Sequence, residues 1–182
     1  NMFGLWMFGS PLEQMWGKRK FLFFYFSAGL GAAGLQLLAY HIEIQSVFSL
    51  LQSNGMSSQS FKEILSTGSY STGILQYIDE ENLTLAYSAY NSSLVGASGA
   101  IYGILVAFAF SFPNSELMLL FPPIPIKAKY LVPGLIVMDL FFGFSSYSLG
   151  PIAHFAHVGG AISGFLMVWY WKRNQFNNNR WN

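Results

Sequence analysis

Gly96-Ala97-Ser98-Gly99-Ala100-Ile101-Tyr102-Gly103 opens an apolar segment, Leu94 to Phe112, that carries no charged residue. A second stretch, Ala153-His154-Phe155-Ala156-His157-Val158-Gly159-Gly160, opens another that runs from Ile152 to Trp171. A hydroxyl enters the first and imidazoles enter the second, in sequence with little other ionisable content. Polar side chains are expensive in lipid and mark function there by default. Working outward, Phe21 to Tyr40 is also free of charge, holds Gly29, Gly31 and Gly34 in its middle, and is long enough for a hydrocarbon layer of about 30 Å.

The remaining segments complete an all-α, polytopic transmembrane helix bundle. Residues 1–16 read as the later part of a membrane helix with an interfacial ending at its tryptophans and Pro11-Leu12-Glu13. Pro122, Pro123 and Pro125 forbid a continuous helix before the span that holds Asp139. The expected organisation is one membrane domain over 1–182: a partial helix at 1–16, helices at about 20–41, 94–112, 127–145 and 151–171, an outer loop at 42–93 and a tail at 172–182. So long a connection is either a functional loop or contains helices of its own; within it, Ile64-Leu65 and Ile74-Leu75-Tyr77-Ile78 read as short amphipathic pieces for a membrane surface. The opening at Asn1, already in apolar sequence, reads as a domain whose upstream part is absent.

Composition agrees. The 182 residues are 53% hydrophobic and 9% charged, where a soluble domain carries about 25% charged residues. A net charge of +1 with no basic stripe gives nucleic acid no footprint. Zero cysteines exclude disulfides and thiolate sites. Three histidines without His-x-x-x-His or a carboxylate at ligand spacing suggest neither a metal nor a cofactor. Lys18, Arg19, Lys20, Lys127, Lys129, Lys172, Arg173 and Arg180 fall in alternate connections, with Lys62 alone in the long loop. By the positive-inside tendency, the starts of the Ser98 and His157 helices face the non-cytoplasmic side.

Ser98 and His157 lie equally far, 15 residues, before Pro113 and Lys172. At about 1.5 Å per residue both stand about 22 Å above the inner end of their helices. Matched depth permits a hydrogen bond if the helices touch. Gly99 and Gly103 on one helix, and Gly160 and Gly164 on the other, form G-x-x-x-G faces that allow such contact. Tyr102, one turn after Ser98, shares its side and can pack on the imidazole. A serine hydroxyl becomes a nucleophile when a neutral imidazole takes its proton, so Ser98 as nucleophile and His157 as general base make a dyad, with no third carboxylate obvious in either motif. Free N–H groups at the helix start around Gly96 and Ser98, with the Asn1 amide, offer an oxyanion site. His154 reads as support rather than catalysis. Plainer readings stand beside these: G-x-S-G also serves helix packing, a lone membrane histidine also serves a packing bond or ion path, and Asp139 reads as a satisfied bond to a neighbouring helix or a proton path.

Gly96-Ala97-Ser98-Gly99 with Tyr102, Ala156-His157 with Gly159-Gly160, the small residue at Gly164, and the opening Asn1-Met2-Phe3 with Leu5-Trp6 and the later Pro11-Leu12-Glu13 together resemble the rhomboid intramembrane serine proteases. The resemblance covers most of the chain outside 41–93. It implies a rhomboid-like six-helix core with its N-terminal part absent, Ser98 as nucleophile, His157 as base and Asn1 as the oxyanion-site asparagine of the second helix. It further implies transmembrane protein substrates, the lipid bilayer as surroundings, no cofactor, a gate in the span from about Tyr130 to Phe144, and a cap over the site at 145–151. The setting expected is a bacterial inner membrane with the site open to the non-cytoplasmic side; oligomeric state has no signal. Two rivals remain at this stage: a catalytically silent rhomboid-like protein that binds transmembrane helices, and a transporter fragment using Asp139 and the histidines.

Overall fold

The computed structural model describes residues 1–92, 97–118, 124–144 and 154–175. It is an all-α bundle with one short hairpin. The order is α1 (Met2–Gly4), a π-helical stretch Leu5–Gly9, α2 (Ser10–Trp16), α3 (Lys18–Ser53), α4 (Ser58–Thr67), a 3-10 turn Thr72–Gln76, α5 (Glu80–Asn91), α6 (Ser98–Ser111), β1 (Glu116–Met118), β2 (Pro125–Lys127), α7 (Ala128–Phe144) and α8 (His154–Gln175). β1 and β2 pair antiparallel, Leu117 opposite Ile126. Gly17 makes the sharp turn into α3 at φ +79°, a conformation that glycine adopts without penalty.

The chain divides into two compact units, 1–36 with 96–182, and 37–95. The first holds α1, α2, the start of α3 and α6 to α8. Its core gathers Leu12, Phe24, Ile104, Ala107 and Val168. Trp16 packs edge-on to Trp171 at 5.3 Å and against Phe24 at 5.1 Å, with the Lys20 ammonium 4.3 Å over the Trp171 ring. Outside that core the unit exposes Phe23, Phe26, Leu30, Val137, Phe141 and Leu166. An apolar exterior of this kind is what a lipid-facing surface requires.

The second unit differs from expectation. The helix expected at about 20–41 continues to Ser53, and of the two forms expected for the connection at 42–93 the described residues show the one with helices of its own. Leu51, Phe61, Leu65, Leu83 and Ala86 build a core of its own. Ile64, Leu65, Ile74 and Ile78, expected to lie on a membrane surface, are buried in that core, while Leu75 and Tyr77 point outward. Local chemistry fixes the pieces. Ser57 caps α4 by accepting from the Ser60 N–H at 3.1 Å, Gly68 ends it in the left-handed region, and the Asn91 amide donates to the Leu65 carbonyl at 2.8 Å. Among the described residues α3 alone is long and apolar enough to cross a bilayer by itself.

Candidate active site

α6 and α8 approach each other through glycine. A Cβ on Gly99 would stand 3.0 Å from the Ala156 carbonyl, one on Gly103 3.0 Å from the Gly160 carbonyl, and one on Gly164 2.6 Å from the Gly103 Cα. A Cβ on Gly160 would collide with the Gly99 carbonyl. The neighbour of Ser98 therefore sits against the neighbour of His157.

The start of α8 is held from three sides. From α6, the Tyr102 ring lies flat on the His157 imidazole, centroids 4.1 Å apart at 3°. From α7, Asp139 Oδ1 stands 3.0 Å from His157 Nδ1 and 2.7 Å from His154 Nδ1. From α3, Gln36 Oε1 accepts from the Ala156 N–H at 2.9 Å, satisfying one of the donors that a helix start leaves unpaired. Gln36, Asp139 and His154 are all buried. Phe142, on α7, stacks on His154 at 6.0 Å.

These contacts fix a tautomer. An ionised carboxylate only accepts, so the hydrogens between Asp139 Oδ1 and both rings are Nδ1–H groups. In neutral His157 the lone pair is then on Nε2, away from Asp139. Bonds to a charged acceptor contribute about 1.5–3 kcal/mol each, so the carboxylate orients the imidazole strongly. Asp139 Oδ2 and His154 Nε2 are buried without a hydrogen-bond partner among the described residues. The ligating atoms of Asp139, His154 and His157 lie within 4.8 Å of one another, so these are the residues that could hold a cation; Asp139 Oδ1 and the two Nδ1 atoms are already hydrogen-bonded.

Ser98 begins α6 and is half-buried, one turn before Tyr102. Asn1 precedes α1, exposed, with its carbonyl accepting from the Leu5 N–H at 2.9 Å and its side chain making no capping bond. α1 reaches the start of α6 at Gly4, where a Cβ would stand 3.5 Å from Ile101 Cγ2. Gly96 and the expected cap at 145–151 lie outside the described residues. Two residues of this site were not read from sequence as part of it. Asp139, expected to bond to a neighbouring helix, is joined to both histidines, and Gln36 gave no signal beyond being a polar side chain in an apolar helix.

A family model for the rhomboid domain matches residues 1–61 and 61–174. Rhomboid protein 1, mitochondrial, of Saccharomyces cerevisiae is 24% identical over 170 residues, covering 93% of this chain and 36% of that protein. The chain thus spans little more than a third of the curated relative it matches. No solved structure matches it. With the match running through both glycine-rich helix starts, the chain belongs to the rhomboid family of integral membrane proteins.

Proposed function

We propose that the chain is the core of an intramembrane serine endopeptidase that cleaves transmembrane proteins in or near their spanning segments. The observation that carries this reading is the His157 ring, stacked on Tyr102 and tied through Nδ1 to Asp139, so that Nε2 is left as the base. Ser98 Oγ gives its proton to Nε2 as it attacks the scissile carbonyl carbon. The N–H groups at the start of α6, with the Asn1 side-chain amide, stabilise the oxyanion. The His157 imidazolium, held by Asp139, then protonates the leaving amine, and water repeats the sequence on the acyl-enzyme. Asp139 is a positioning residue here, and the expected dyad becomes a Ser98–His157–Asp139 relay of orientation. His154 shares the carboxylate and supports it.

The distribution of basic residues supports a site opening to the non-cytoplasmic side. The matched relative's name is mitochondrial, so it lends no support to a bacterial inner membrane. A fluorophosphonate probe applied to the protein in membranes tests the reading: labelling that disappears in Ser98→Ala and His157→Ala is expected. Labelling that survives Ser98→Ala removes that serine, and an unlabelled parent favours the silent, helix-binding rhomboid-like protein.

A further inference from the structure

A groove of about 600 Å³ lies between α6, α7 and α8, lined by Val106, Phe110, Pro133, Ile136, Ala161 and Leu166 among others. None of the residues lining it is a carboxylate. Its Pro113 end meets Lys129, and the Lys172 ammonium lies 4.6 Å over the ring of the lining Phe110. Both lysines are exposed. Val137, Ile162 and Leu166, which also line it, are at least half exposed, so the groove is open along its length to what surrounds the bundle.

In an integral membrane protein an open apolar groove is filled by hydrocarbon. An acyl chain supplies it, and unlike a transmembrane helix it carries a headgroup at its end. Two cations at the end nearest the basic face, with no acid among the lining residues, add a preference for a negative headgroup, and basic pockets between membrane helices on that side suit anionic lipids. We propose that this groove binds an anionic phospholipid, its acyl chain against Val106, Ile136 and Ala161 and its phosphate between Lys129 and Lys172.

The lipid would also brace the site. Pro133 lies on the groove wall inside α7 and supplies no N–H to the helix ladder, so α7 is weakened where the chain would lie. Beyond Pro133, Ile136 and Val137 line the groove and Asp139 holds His157. A filled groove keeps Asp139 in place; this consequence, unlike the binding itself, rests on the protease reading.

The test uses the protein delipidated and reconstituted in nanodiscs of phosphatidylcholine with rising fractions of phosphatidylglycerol. Retained lipid is read by native mass spectrometry, and the active serine by the rate of fluorophosphonate labelling. Phosphatidylglycerol is expected to be retained over phosphatidylcholine, about fivefold less so in Lys129→Gln or Lys172→Gln and about 25-fold less so in the double variant, while inorganic phosphate competes with nothing. Labelling is expected to rise with phosphatidylglycerol in the parent and not in the double variant. Equal retention of the two lipids, or a double variant that retains phosphatidylglycerol like the parent, overturns the site. Retention without any change in labelling overturns the bracing of α7, and a parent that never labels overturns the protease reading while the retention measurement still decides the site.

Discussion

Asp139→Asn removes one charge and almost no volume from the centre of the site. In the structure Asp139 Oδ1 accepts from His157 at 3.0 Å and from His154 at 2.7 Å. A neutral amide oxygen can still accept, but each bond falls from about 1.5–3 to about 0.5–1.5 kcal/mol, so roughly 2–3 kcal/mol of orientation is lost over the pair. The larger effect comes when His157 takes the serine proton, because the carboxylate then faces an imidazolium and asparagine does not. Losing about 1.5–3 kcal/mol of that differential stabilisation lowers the rate by roughly 10- to 150-fold. If the amide turns its NH2 towards His157, the ring must present a lone pair at Nδ1, Nε2 carries the hydrogen, and the loss is greater still. On the protease reading the carboxylate acts through His157, so KM should hold while kcat falls. The assay is turnover of a transmembrane substrate by reconstituted full-length protein, with probe labelling and thermal unfolding in parallel. An Asp139→Asn protein that unfolds like the parent and keeps its kcat would refute the positioning role.

Other perturbations separate the parts of the site. Tyr102→Phe keeps the stacked ring and removes only the hydroxyl beside Asp139, so it should cost less than Tyr102→Ala, which also removes a contact of about 0.5–1.5 kcal/mol beyond its buried area and should lower kcat severalfold at similar expression. Gly160→Val forces a side chain onto the Gly99 carbonyl and should abolish both labelling and the cooperative thermal transition; normal turnover would contradict the close approach of α6 and α8. Gln36→Leu strands the Ala156 N–H at a cost of about 1–3 kcal/mol and should lower the melting temperature, measured by differential scanning fluorimetry. In the second unit the Tyr70 hydroxyl donates to Glu80 at 3.0 Å, and that bond holds its pKa above the ordinary tyrosine value. Folded protein keeps this proton longer than unfolded protein, so the contribution is present below the ordinary tyrosine pKa and is lost as pH rises through the folded one. In an ultraviolet titration the late part of the tyrosine ionisation should move earlier in Glu80→Gln.

What the sequence revealed follows from how local each signal is. Ser98 and His157 stand out in the sequence because each sits in a run of small residues whose spacing follows the helical repeat, and their matched distances to Pro113 and Lys172 lead to the expectation of one depth. The glycine faces were legible for the same reason. The carboxylate was visible as a residue and invisible as a partner: 18 positions separate Asp139 from His157, on another helix, and no periodicity links them. Gln36 is farther still, 120 positions from the amide it caps. The segment 42–93 misled in a different way. Its amphipathic pieces were legible and their partner was not: read as lying on a membrane surface, Ile64 and Leu65 instead join Phe61 in turning one face of α4 into a core with Leu83 and Ala86 on α5. Polar composition identified what faces water and said little about what the apolar minority could bury.

The buried polar groups of the first unit converge. Gln36 from α3, Asp139 from α7 and His154 from α8 are the buried polar or charged side chains among the described residues, and all three bear on the first turn of α8. Each costs free energy to remove from water, and two atoms, Asp139 Oδ2 and His154 Nε2, remain without a hydrogen-bond partner there. A bundle selected for stability alone would replace them with leucine, since well-packed hydrocarbon of the same volume is neutral or better than buried ionic contacts. Their concentration beside one half-buried imidazole is therefore hard to ascribe to folding. It is what a site needs if a ring is to change its charge within a low-dielectric bundle and find the compensating carboxylate already in place.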